Sequence, residues 1–351
     1  MPRVSVQDLT CLSQAIFESL GASAEEAALV TRMLVDANLA GHDSHGVVQI
    51  PTYVQAYAEG LIVPGVRFRW ERETPATALV DGCWGFGQRL ASEAMQRAID
   101  KARLCGVSVV SAYHCCHVGR LGAYTEMAAE AGMVGIMAVN DGGGGQRVAP
   151  YGGLAGRLST NPLSVGLPTG TAAPLILDIS TSVVAEGQVR LTRLRGEQMP
   201  LGWMIDAVGH LTTDPEQFFS QPPGSLLPLG ERAAHKGYGL AIAVEVLAGI
   251  VGRAGYARTP VPPYNNGVFL LVLDIARFLP LEEFTAQVQD LLRYVKSCPR
   301  QSGIREILYP GEQAARTRHL RSREGIDLDS ETWSRLRAIA QERDISVPRD
   351  G

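Results

Sequence analysis

The sequence predicts an α/β protein with helical segments at both ends. Strand-like and helix-like stretches alternate between residues 107 and 139, whereas residues 1–40 and roughly the last forty residues read as helices. Hydrophobic residues make up 46% of the chain and charged residues 19%, which is typical of globular proteins. At 351 residues the chain exceeds the size at which one core usually stops growing, so we expect two or more lobes.

The N-terminal segment is predicted to consist of helices that end before a polar turn. Ser23 followed by Glu26 matches a capping box, in which the serine hydroxyl accepts a hydrogen bond from the start of a helix. Apolar residues then recur at roughly helical spacing as far as Gly41, which suits a helix end. Residues 51–61 are predicted to form a short helix that carries Tyr53.

The middle of the chain is predicted to alternate strands and helices. The stretch from Val134 to Val139 is apolar throughout, which indicates a strand buried on both faces. Residues 183–195 fit either a helix or a bent strand. The other predicted elements are strands at 77–82, 107–111, 163–167 and 175–179, helices at 87–104 and 121–131, and loops at 114–117 and 142–145.

The C-terminal half is predicted to begin with a long loop and then to return to regular elements. Residues 200–229 are rich in Pro, Gly, Thr and Asp, which predicts an ordered loop. The stretch from Lys236 to Ile250 is rich in Ala, Leu and Val, which predicts a buried helix. Predicted next are a loop at 260–264, a strand at 268–273, a helix at 281–295 and polar helices towards the end.

Composition argues against several classes of protein. The net charge is only −4 and no run is rich in Lys and Arg, so we do not expect nucleic acid as a partner. The first residues lack an apolar signal core, and no apolar run approaches about 18 residues, so neither secretion nor a membrane span is expected. The six cysteines show no framework spacing, which favours reduced thiols in the cytoplasm.

Two short motifs concentrate histidines. The first histidine motif is Gly41-His42-Asp43-Ser44-His45-Gly46, and the second is His114-Cys115-Cys116-His117. Each has His-x-x-His spacing that suits zinc, but His-Glu-x-x-His and Cys-x-x-Cys are both absent. A single histidine is more often a structural hydrogen-bonding residue than a catalyst. Two histidine-bearing polar segments in an otherwise apolar half of the chain favour acid/base chemistry over a metal site.

A cofactor site is less clearly marked. Neither the Rossmann fingerprint Gly-x-Gly-x-x-Gly in its strand–helix context nor a Walker A motif is present. The glycine run at 142–145 either cradles an anion or serves as a flexible turn. His235-Lys236-Gly237 precedes an apolar helix, where a lysine can meet a phosphate or carboxylate or remain in solvent. The polar clusters at 159–162 and 178–182 contact a ligand or cap neighbouring elements.

Several motifs, taken in order, resemble those of a known family. The first histidine motif with Val47 resembles the signature of the malate/L-lactate dehydrogenase family, whose members lack a Rossmann fold. This family includes sulfolactate and ureidoglycolate dehydrogenases and the Δ1-piperideine-2-carboxylate/Δ1-pyrroline-2-carboxylate reductases. Each motif is weak alone, whereas the ordered set is specific and covers nearly the whole chain. The other matching motifs lie at 117–124, 148–153, 159–163, 177–182, 200–206, 212–215, 227–230, 235–240 and 309–312.

The resemblance implies a non-Rossmann α/β fold with mixed sheets and helical N-terminal and C-terminal regions. It implies a homodimeric oxidoreductase that uses NADH or NADPH, with active sites in clefts that involve both subunits. Its substrates are typically a 2-hydroxy acid/2-oxo acid pair or a cyclic imine. We expect residues 1–75 to contribute substrate-side residues and dimer contacts, residues 76–255 to form the cofactor-binding α/β domain, and residues 256–351 to pack back on the N-terminal region.

The same resemblance implies roles for individual residues. His117 is expected to be the acid/base, with His45 close to the substrate, and Asp206 is a candidate for holding a histidine in one tautomer. The expected substrate-binding residues are Ser44, Gln49, Tyr53 and Arg120. The expected cofactor-binding residues are Thr160, Asn161, Asp178, Ile179, Ser180, Thr181, His235, Lys236, Gly237, Pro310 and Gly311.

Gln49 is a departure from the family pattern. Family members usually carry an arginine there, which is expected to grip the substrate carboxylate through a bidentate, charge-assisted pair. Loss of such a pair costs about 1.5–3 kcal/mol, or roughly ten- to a hundredfold in affinity. Either Arg120 or Arg147 takes over, or the substrate is less anionic, such as an ester, an amide, a carrier-bound acyl group or a larger imine. The alternative function is therefore a biosynthetic imine reductase or a repurposed family member.

Overall fold

The computed structural model describes residues 2–261 and 265–347, so part of the predicted loop at 260–264 lies outside the described residues. The strands are β1 (Arg3–Val4), β2 (Arg69–Glu73), β3 (Thr77–Gly85), β4 (Val107–Cys115), β5 (Met133–Asn140), β6 (Leu163–Leu167), β7 (Leu175–Ile179), β8 (Met204–Ile205), β9 (Leu211–Thr212), β10 (Ser225–Leu226), β11 (Asn266–Asp274) and β12 (Ile326–Asp327). The helices are α1 (Val6–Ser19), α2 (Ala24–Leu39), α3 (Ile50–Ala58), α4 (Gly87–Cys105), α5 (Gly122–Glu130), α6 (Glu186–Leu194), α7 (Glu216–Phe219), α8 (Ala234–Val244), α9 (Leu281–Lys296), α10 (Glu312–Glu324) and α11 (Ser330–Glu342).

A mixed sheet forms the centre of the molecule, as predicted. Among the described residues it has seven strands in the order β2-β3-β4-β11-β5-β6-β7. Strands β3 and β4 pair in parallel, whereas the other neighbours pair antiparallel. Strand β11 comes from the C-terminal part of the chain and lies between β4 and β5. The sheet therefore requires the chain as far as residue 274.

Helices α4 and α5 pack on this sheet through small side chains. Ala91, Ala94, Ala98 and Ala102 of α4 are fully buried and join the sheet residues in one hydrophobic core. Small residues at these positions let the helix axis approach the strands closely. Helix α4 ends at Gly106, whose φ of 84° closes the helix in the left-handed conformation, so the helix predicted at 87–104 is confirmed.

A second core joins the two ends of the chain. The buried faces of α1, α2 and α3 pack with α11, and Phe17, Tyr53, Trp333 and Leu336 belong to this cluster. Strand β1 also pairs antiparallel with β12. The helices predicted within residues 1–40 are confirmed, and the Ser23 hydroxyl accepts from the Glu26 backbone N–H at 3.2 Å.

Strand β4 is longer than its sequence indicates. His114 and Cys115, predicted to lie in a loop, complete this strand. The reason is pairing on both sides, because Cys115 lies opposite Gly85 of β3 and Asn266 of β11. The pairing shifts register on both sides of the strand at His114, whose φ is 50°, and its imidazole Nδ1 lies 3.2 Å from an oxygen of Asp81.

The segments left open or predicted as loop also gain regular structure. Residues 186–194 form helix α6, which settles the choice between helix and bent strand. The region at 200–229, predicted as a long loop, contains the small antiparallel sheet β10-β8-β9 and the short helix α7. Its strands have only two residues each, which is too short for a recognisable alternation of apolar and polar side chains.

The helix predicted as buried at 236–250 has one exposed apolar face. Helix α8 continues as a π-helix from Glu245 to Val251. The stretch Glu231–Val251 is long and apolar enough to cross a membrane by length and composition, contrary to the expectation that no run is this apolar. Only 39% of its most apolar window is buried. Its inner side packs against the sheet, and the carboxylate of Glu245 accepts from the Asn161 amide at 2.8 Å.

Asn38, near the end of α2, holds the first histidine motif in place. Its side-chain oxygen accepts from the Val47 backbone N–H at 2.9 Å, and its amide nitrogen donates to Asp43 at 2.7 Å. Arg321 of α10 donates to the same carboxylate at 2.6 and 3.1 Å. Gly46 is tightly constrained, because a Cβ at this position would overlap the Asn38 amide. The shape of this segment therefore depends on one buried amide.

We predict that Asn38→Ala destabilises the protein by about 1–3 kcal/mol, because the buried N–H of Val47 is left without an acceptor. The free energy of unfolding from urea titration followed by circular dichroism measures this loss. Arg32→Ala, at an exposed position of the same helix, is the control and should change stability by less than about 0.5 kcal/mol. Equal stability of the two variants would contradict the proposed support.

Candidate active site

The fold brings one histidine of each motif face to face. The rings of His45 and His117 stack with centroids 5.4 Å apart and an interplanar angle of 24°. His114 is separate from this pair, because its side chain contacts Asp81 and stacks on Trp84 with centroids 4.9 Å apart. The predicted partnership of the two motifs is therefore formed by His45 and His117.

His117 is held by a chain of hydrogen bonds that begins in α4. The Tyr53 hydroxyl lies 2.8 Å from His117 Nδ1, and the amide nitrogen of Gln88 donates to the Tyr53 oxygen at 2.7 Å. Tyr53 comes from α3 and Gln88 from α4. Two helices from different parts of the chain thus fix one edge of the imidazole and leave Nε2 as its other polar atom.

Burial favours the neutral form of the histidines at this site. Burial, and secondarily the neighbouring His45, lowers the pKa of His117 to about 3. Burial also lowers the pKa values of His45 and His42, against the opposing effect of the Asp178 carboxylate. A neutral imidazole can accept a proton at one ring nitrogen while it donates a hydrogen bond from the other.

Ser44 and Gln49 shape the loop that carries His45. The Ser44 hydroxyl lies 3.1 Å from His45 Nδ1. The Gln49 side-chain amide donates to the Ser44 backbone carbonyl at 2.7 Å, so part of its hydrogen-bonding capacity is used within its own loop. Both residues lie close to His45.

A cleft of about 420 Å³ lies next to the histidines. It brings together the predicted residues Asp178, Ile179, Pro310 and Gly311, and His42 of the first histidine motif also lines it. The Asp178 carboxylate accepts from the Gly122 backbone N–H at the start of α5, at 2.7 Å. Asp178 also acts electrostatically on His45, which, like His117, lies outside the lining of the cleft.

The walls of the cleft combine a helix start with arginines and carboxylates. Gln313 and Ala314 of α10 line it, and the first N–H groups of a helix have no partner within the helix. Arg120 and Arg318 also line it, and the buried Nε of each has no hydrogen-bond partner among the described residues. Helix starts and arginines are the groups that commonly bind phosphates in dinucleotides.

Arg120 is tied to neighbouring carboxylates. Its Nη2 lies 3.0 Å from Asp36 and 3.2 Å from Glu126. Arg318 of α10 contacts the same two carboxylates at 2.9–3.1 Å. This group of two arginines and two acids joins α2, α5 and α10 around the cleft.

The predicted residues around Thr160 and Thr181 lie outside the lining of the cleft. The Thr181 hydroxyl donates to the backbone carbonyls of Thr160 and Asn161, each at 3.0 Å. The Asn161 amide donates to Glu245, and the Ser180 hydroxyl donates to the Ser182 carbonyl at 2.8 Å. The Thr181 bonds join the segments before β6 and after β7, and the Asn161 bond joins them to the π-helix that continues α8.

The remaining predicted residues lie elsewhere on the same chain. His235 contacts the ring of Tyr151 at a centroid distance of 5.8 Å, and Lys236 is exposed at the start of α8. Gly237 packs tightly, because a Cβ there would overlap the Leu229 backbone. Asp206 caps the turn between β8 and β9 by accepting from Val208 and His210. Within one chain the structure does not bring Asp206 to His117.

Some residues of the site were not predicted from the sequence. Gln88, which donates to Tyr53, and the α10 residues that line the cleft carry no local signature of function. His42 belongs to a motif that the sequence singled out, but its place in the cleft depends on the fold. A contact between α2 and α10, separated by more than 270 residues along the chain, could have been found only from tertiary structure.

Comparison with known proteins gives a consistent result. The model of the family described as malate/L-lactate dehydrogenase matches residues 4–337. Malate dehydrogenase from Pyrococcus abyssi is 35% identical over 347 residues, which cover 97% of this chain and 94% of that protein. Hydroxycarboxylate dehydrogenase B from Escherichia coli is 35% identical over 352 residues, which cover 99% and 96%.

Solved structures agree with the sequence relatives. Malate dehydrogenase from Pyrococcus horikoshii superposes with a TM-score of 0.89 at 32% identity, covering 99% of this chain and 97% of that one. The Δ1-piperideine-2-carboxylate reductase from Pseudomonas syringae gives 0.83 at 28% identity, covering 97% and 100%. The family match over most of the chain and relatives above 30% identity over nearly its full length show that this protein is an oxidoreductase of the malate/L-lactate dehydrogenase family.

Proposed function

We propose that the protein transfers hydride between a nicotinamide cofactor, NADH or NADPH, and a 2-oxo/2-hydroxy acid pair or a cyclic imine, with His117 as the acid/base. The observation that carries this proposal is the position of His117, which stacks on His45 and contacts the Tyr53 hydroxyl at Nδ1. His42, from the same motif as His45, lines the cleft proposed for the dinucleotide. The dehydrogenases among the relatives and the reductase among the solved structures support both substrate classes.

The cleft residues are proposed to hold the cofactor. Asp178, Ile179, Pro310 and Gly311 would contact it, and the start of α10 would face its phosphates. The bound nicotinamide would supply the hydride, and the protein would supply orientation and a proton. Thr160, Asn161, Ser180 and Thr181 would act on it indirectly, by fixing the strand end that carries Asp178 and Ile179.

His117 is proposed to accept or donate the proton at the substrate oxygen or nitrogen. In oxidation, the neutral imidazole would accept the hydroxyl or amine proton as the carbon loses hydride. In reduction, the protonated ring would give its proton to the forming alcohol or amine and return to the neutral form. His45 and Ser44 would contact the substrate beside His117, because the His45 ring stacks on that of His117 and the Ser44 hydroxyl lies against His45 Nδ1.

We expect His117→Asn to lower kcat about 10²- to 10⁴-fold, the usual contribution of a positioned acid/base, while cofactor binding persists. Steady-state assays with fluorescence titration of NADH and NADPH separate these two effects. His114→Asn is a matched control from the second histidine motif, and its kcat should change by no more than about twofold. A near-normal kcat for His117→Asn would refute the acid/base assignment.

Substrate specificity depends on which side chain binds the substrate carboxylate. Gln49 donates to the Ser44 carbonyl, and Arg120 is paired with Asp36 and Glu126. Neither therefore offers an uncommitted bidentate fork. This observation favours the alternative, a biosynthetic imine reductase or a repurposed family member that acts on a non-carboxylate or carrier-bound substrate. A spectrophotometric screen of 2-oxo acids and cyclic imines with both reduced cofactors tests the two candidates directly.

Gln49→Arg should lower KM for free 2-oxo acids roughly ten- to a hundredfold, because it adds a charge-assisted pair to the carboxylate. The same assay with the corresponding neutral amides is the control, and their KM should stay unchanged. Equal improvement for acids and amides would show that the substitution acts on the loop and not on the carboxylate.

We further propose that the protein is a homodimer whose interface includes the exposed face of α8. Leu240, Ile242, Val246, Leu247 and Ile250 on this face are 37–51% exposed in the single chain. A contiguous apolar patch of this kind marks an interaction site in a protein of ordinary composition. Lys236 begins the same face, so its predicted contact with cofactor would depend on a second copy of the chain.

Ile250→Glu should shift the protein from dimer towards the 37.7 kDa monomer, because it puts a charge into the apolar face. Size-exclusion chromatography with light scattering gives the mass directly. Leu104→Glu, on a residue that is 79% exposed at the end of α4, is the matched control and should stay dimeric. A monomeric wild-type protein, or a fully dimeric Ile250→Glu, would argue against this interface.

A further inference from the structure

The hydrogen-bond chain from Gln88 through Tyr53 to His117 has a defined direction. The donor–acceptor distances are 2.7 Å from Gln88 Nε2 to Tyr53 Oη and 2.8 Å from Tyr53 Oη to His117 Nδ1. An amide nitrogen can only donate, and a phenol has one hydrogen. Because the Tyr53 oxygen accepts from Gln88, its single hydrogen points at Nδ1. A neutral imidazole whose Nδ1 accepts must carry its hydrogen on Nε2.

We infer that Gln88 is a positioning residue that sets the tautomer of His117 through Tyr53. This inference rests on the proposed role of His117 in hydride transfer. Gln88 does not touch the imidazole and acts only by orienting the phenol hydrogen. In the resting enzyme His117 therefore presents an Nε2–H donor to the substrate, which matches the lone pair of a C=O or C=N group.

The surroundings of Gln88 support this role. The side chain is 1% exposed, next to the N-terminus of α4. The preceding residue, Gly87, packs against the backbone of Cys116 and His117 so closely that a Cβ would overlap their carbonyl oxygens. The start of α4 is therefore locked to the segment that carries His117. Burial of Tyr53 also raises the pKa of its phenol, so the hydroxyl keeps its hydrogen.

The carbonyl oxygen of the Gln88 amide allows a second hydrogen-bonding arrangement. Its carbonyl oxygen is buried and has no hydrogen-bond partner among the described residues. If the amide rotates by a half-turn, this oxygen accepts from Tyr53, and the His117 tautomer reverses so that Nε2 becomes an acceptor. An acceptor suits the hydroxyl or amine of the reduced substrate. The observed orientation therefore favours binding of the oxidised substrate, and the half-turned orientation favours binding of the reduced one.

The tautomer can be read without any turnover. In protein labelled with ¹⁵N-histidine, long-range ¹H–¹⁵N correlation spectra distinguish Nε2–H from Nδ1–H rings, and the His117→Asn spectrum assigns the resonance. We expect wild-type His117 in the Nε2–H form, and a substantial Nδ1–H population in Gln88→Met, which removes the amide but keeps the chain length. Gln96→Met, the same change at an exposed site of α4, should give the wild-type spectrum.

Kinetics test whether Gln88 acts through Tyr53. Gln88→Met should lower kcat/KM for reduction by about tenfold or more. When Tyr53→Phe is already present, adding Gln88→Met should change kcat/KM by less than about twofold. If the two substitutions acted independently, the fold-change in kcat/KM of the double variant would equal the product of the two single fold-changes. A wild-type Nδ1–H tautomer, an unchanged tautomer in Gln88→Met, or multiplying effects would overturn the inference. Failure of the proposed function is distinguishable, because His117→Asn would then leave kcat unchanged whatever the spectra show.

Discussion

The pairing of β11 with both β4 and β5 is the constraint on which the site depends. It places a C-terminal strand at the centre of the sheet, between the strand that leads to His117 and the strand that leads to the glycine run. Asn266, the first residue of β11, accepts from the backbone N–H of Val118 at 2.9 Å. The turn that follows His117 is thereby fixed by a residue almost 150 positions away along the chain.

Charge pairing supplies the second constraint. Asp36 of α2, Glu126 of α5 and Arg318 of α10 meet Arg120, so opposite charges join three elements that share no regular backbone pairing. Two cations and two anions neutralise one another, and each retains polar partners although most of the group is shielded from water. Removing one member would leave the group with one excess charge that is largely shielded from water, which destabilises the cleft. The cleft therefore keeps its shape through a closed network rather than through apolar packing alone.

The sequence predicted the elements whose signals are local. Helices with caps and apolar spacing, such as α2 and α4, and compact apolar strands, such as β6 and β7, appear at or near the expected residues. The two histidine motifs and their contribution to one site were also expected, and the family resemblance was confirmed. The extension of β4 through His114 was missed because pairing on both sides imposes it. Gln88 and the α10 wall were missed because their roles arise only when distant helices meet. The exposed face of α8 was missed because an apolar helix has the same sequence pattern whether its outer face is buried in the core or exposed at the surface.

Helix α10 has contacts on both parts of the site. Its N-terminal residues line the cleft, while Arg321 near its C-terminal end grips Asp43 in the loop that carries His45. One helix therefore borders the cleft at its start and holds the loop that carries His45 near its end. A displacement of α10 would change the shape of the cleft and of this loop together.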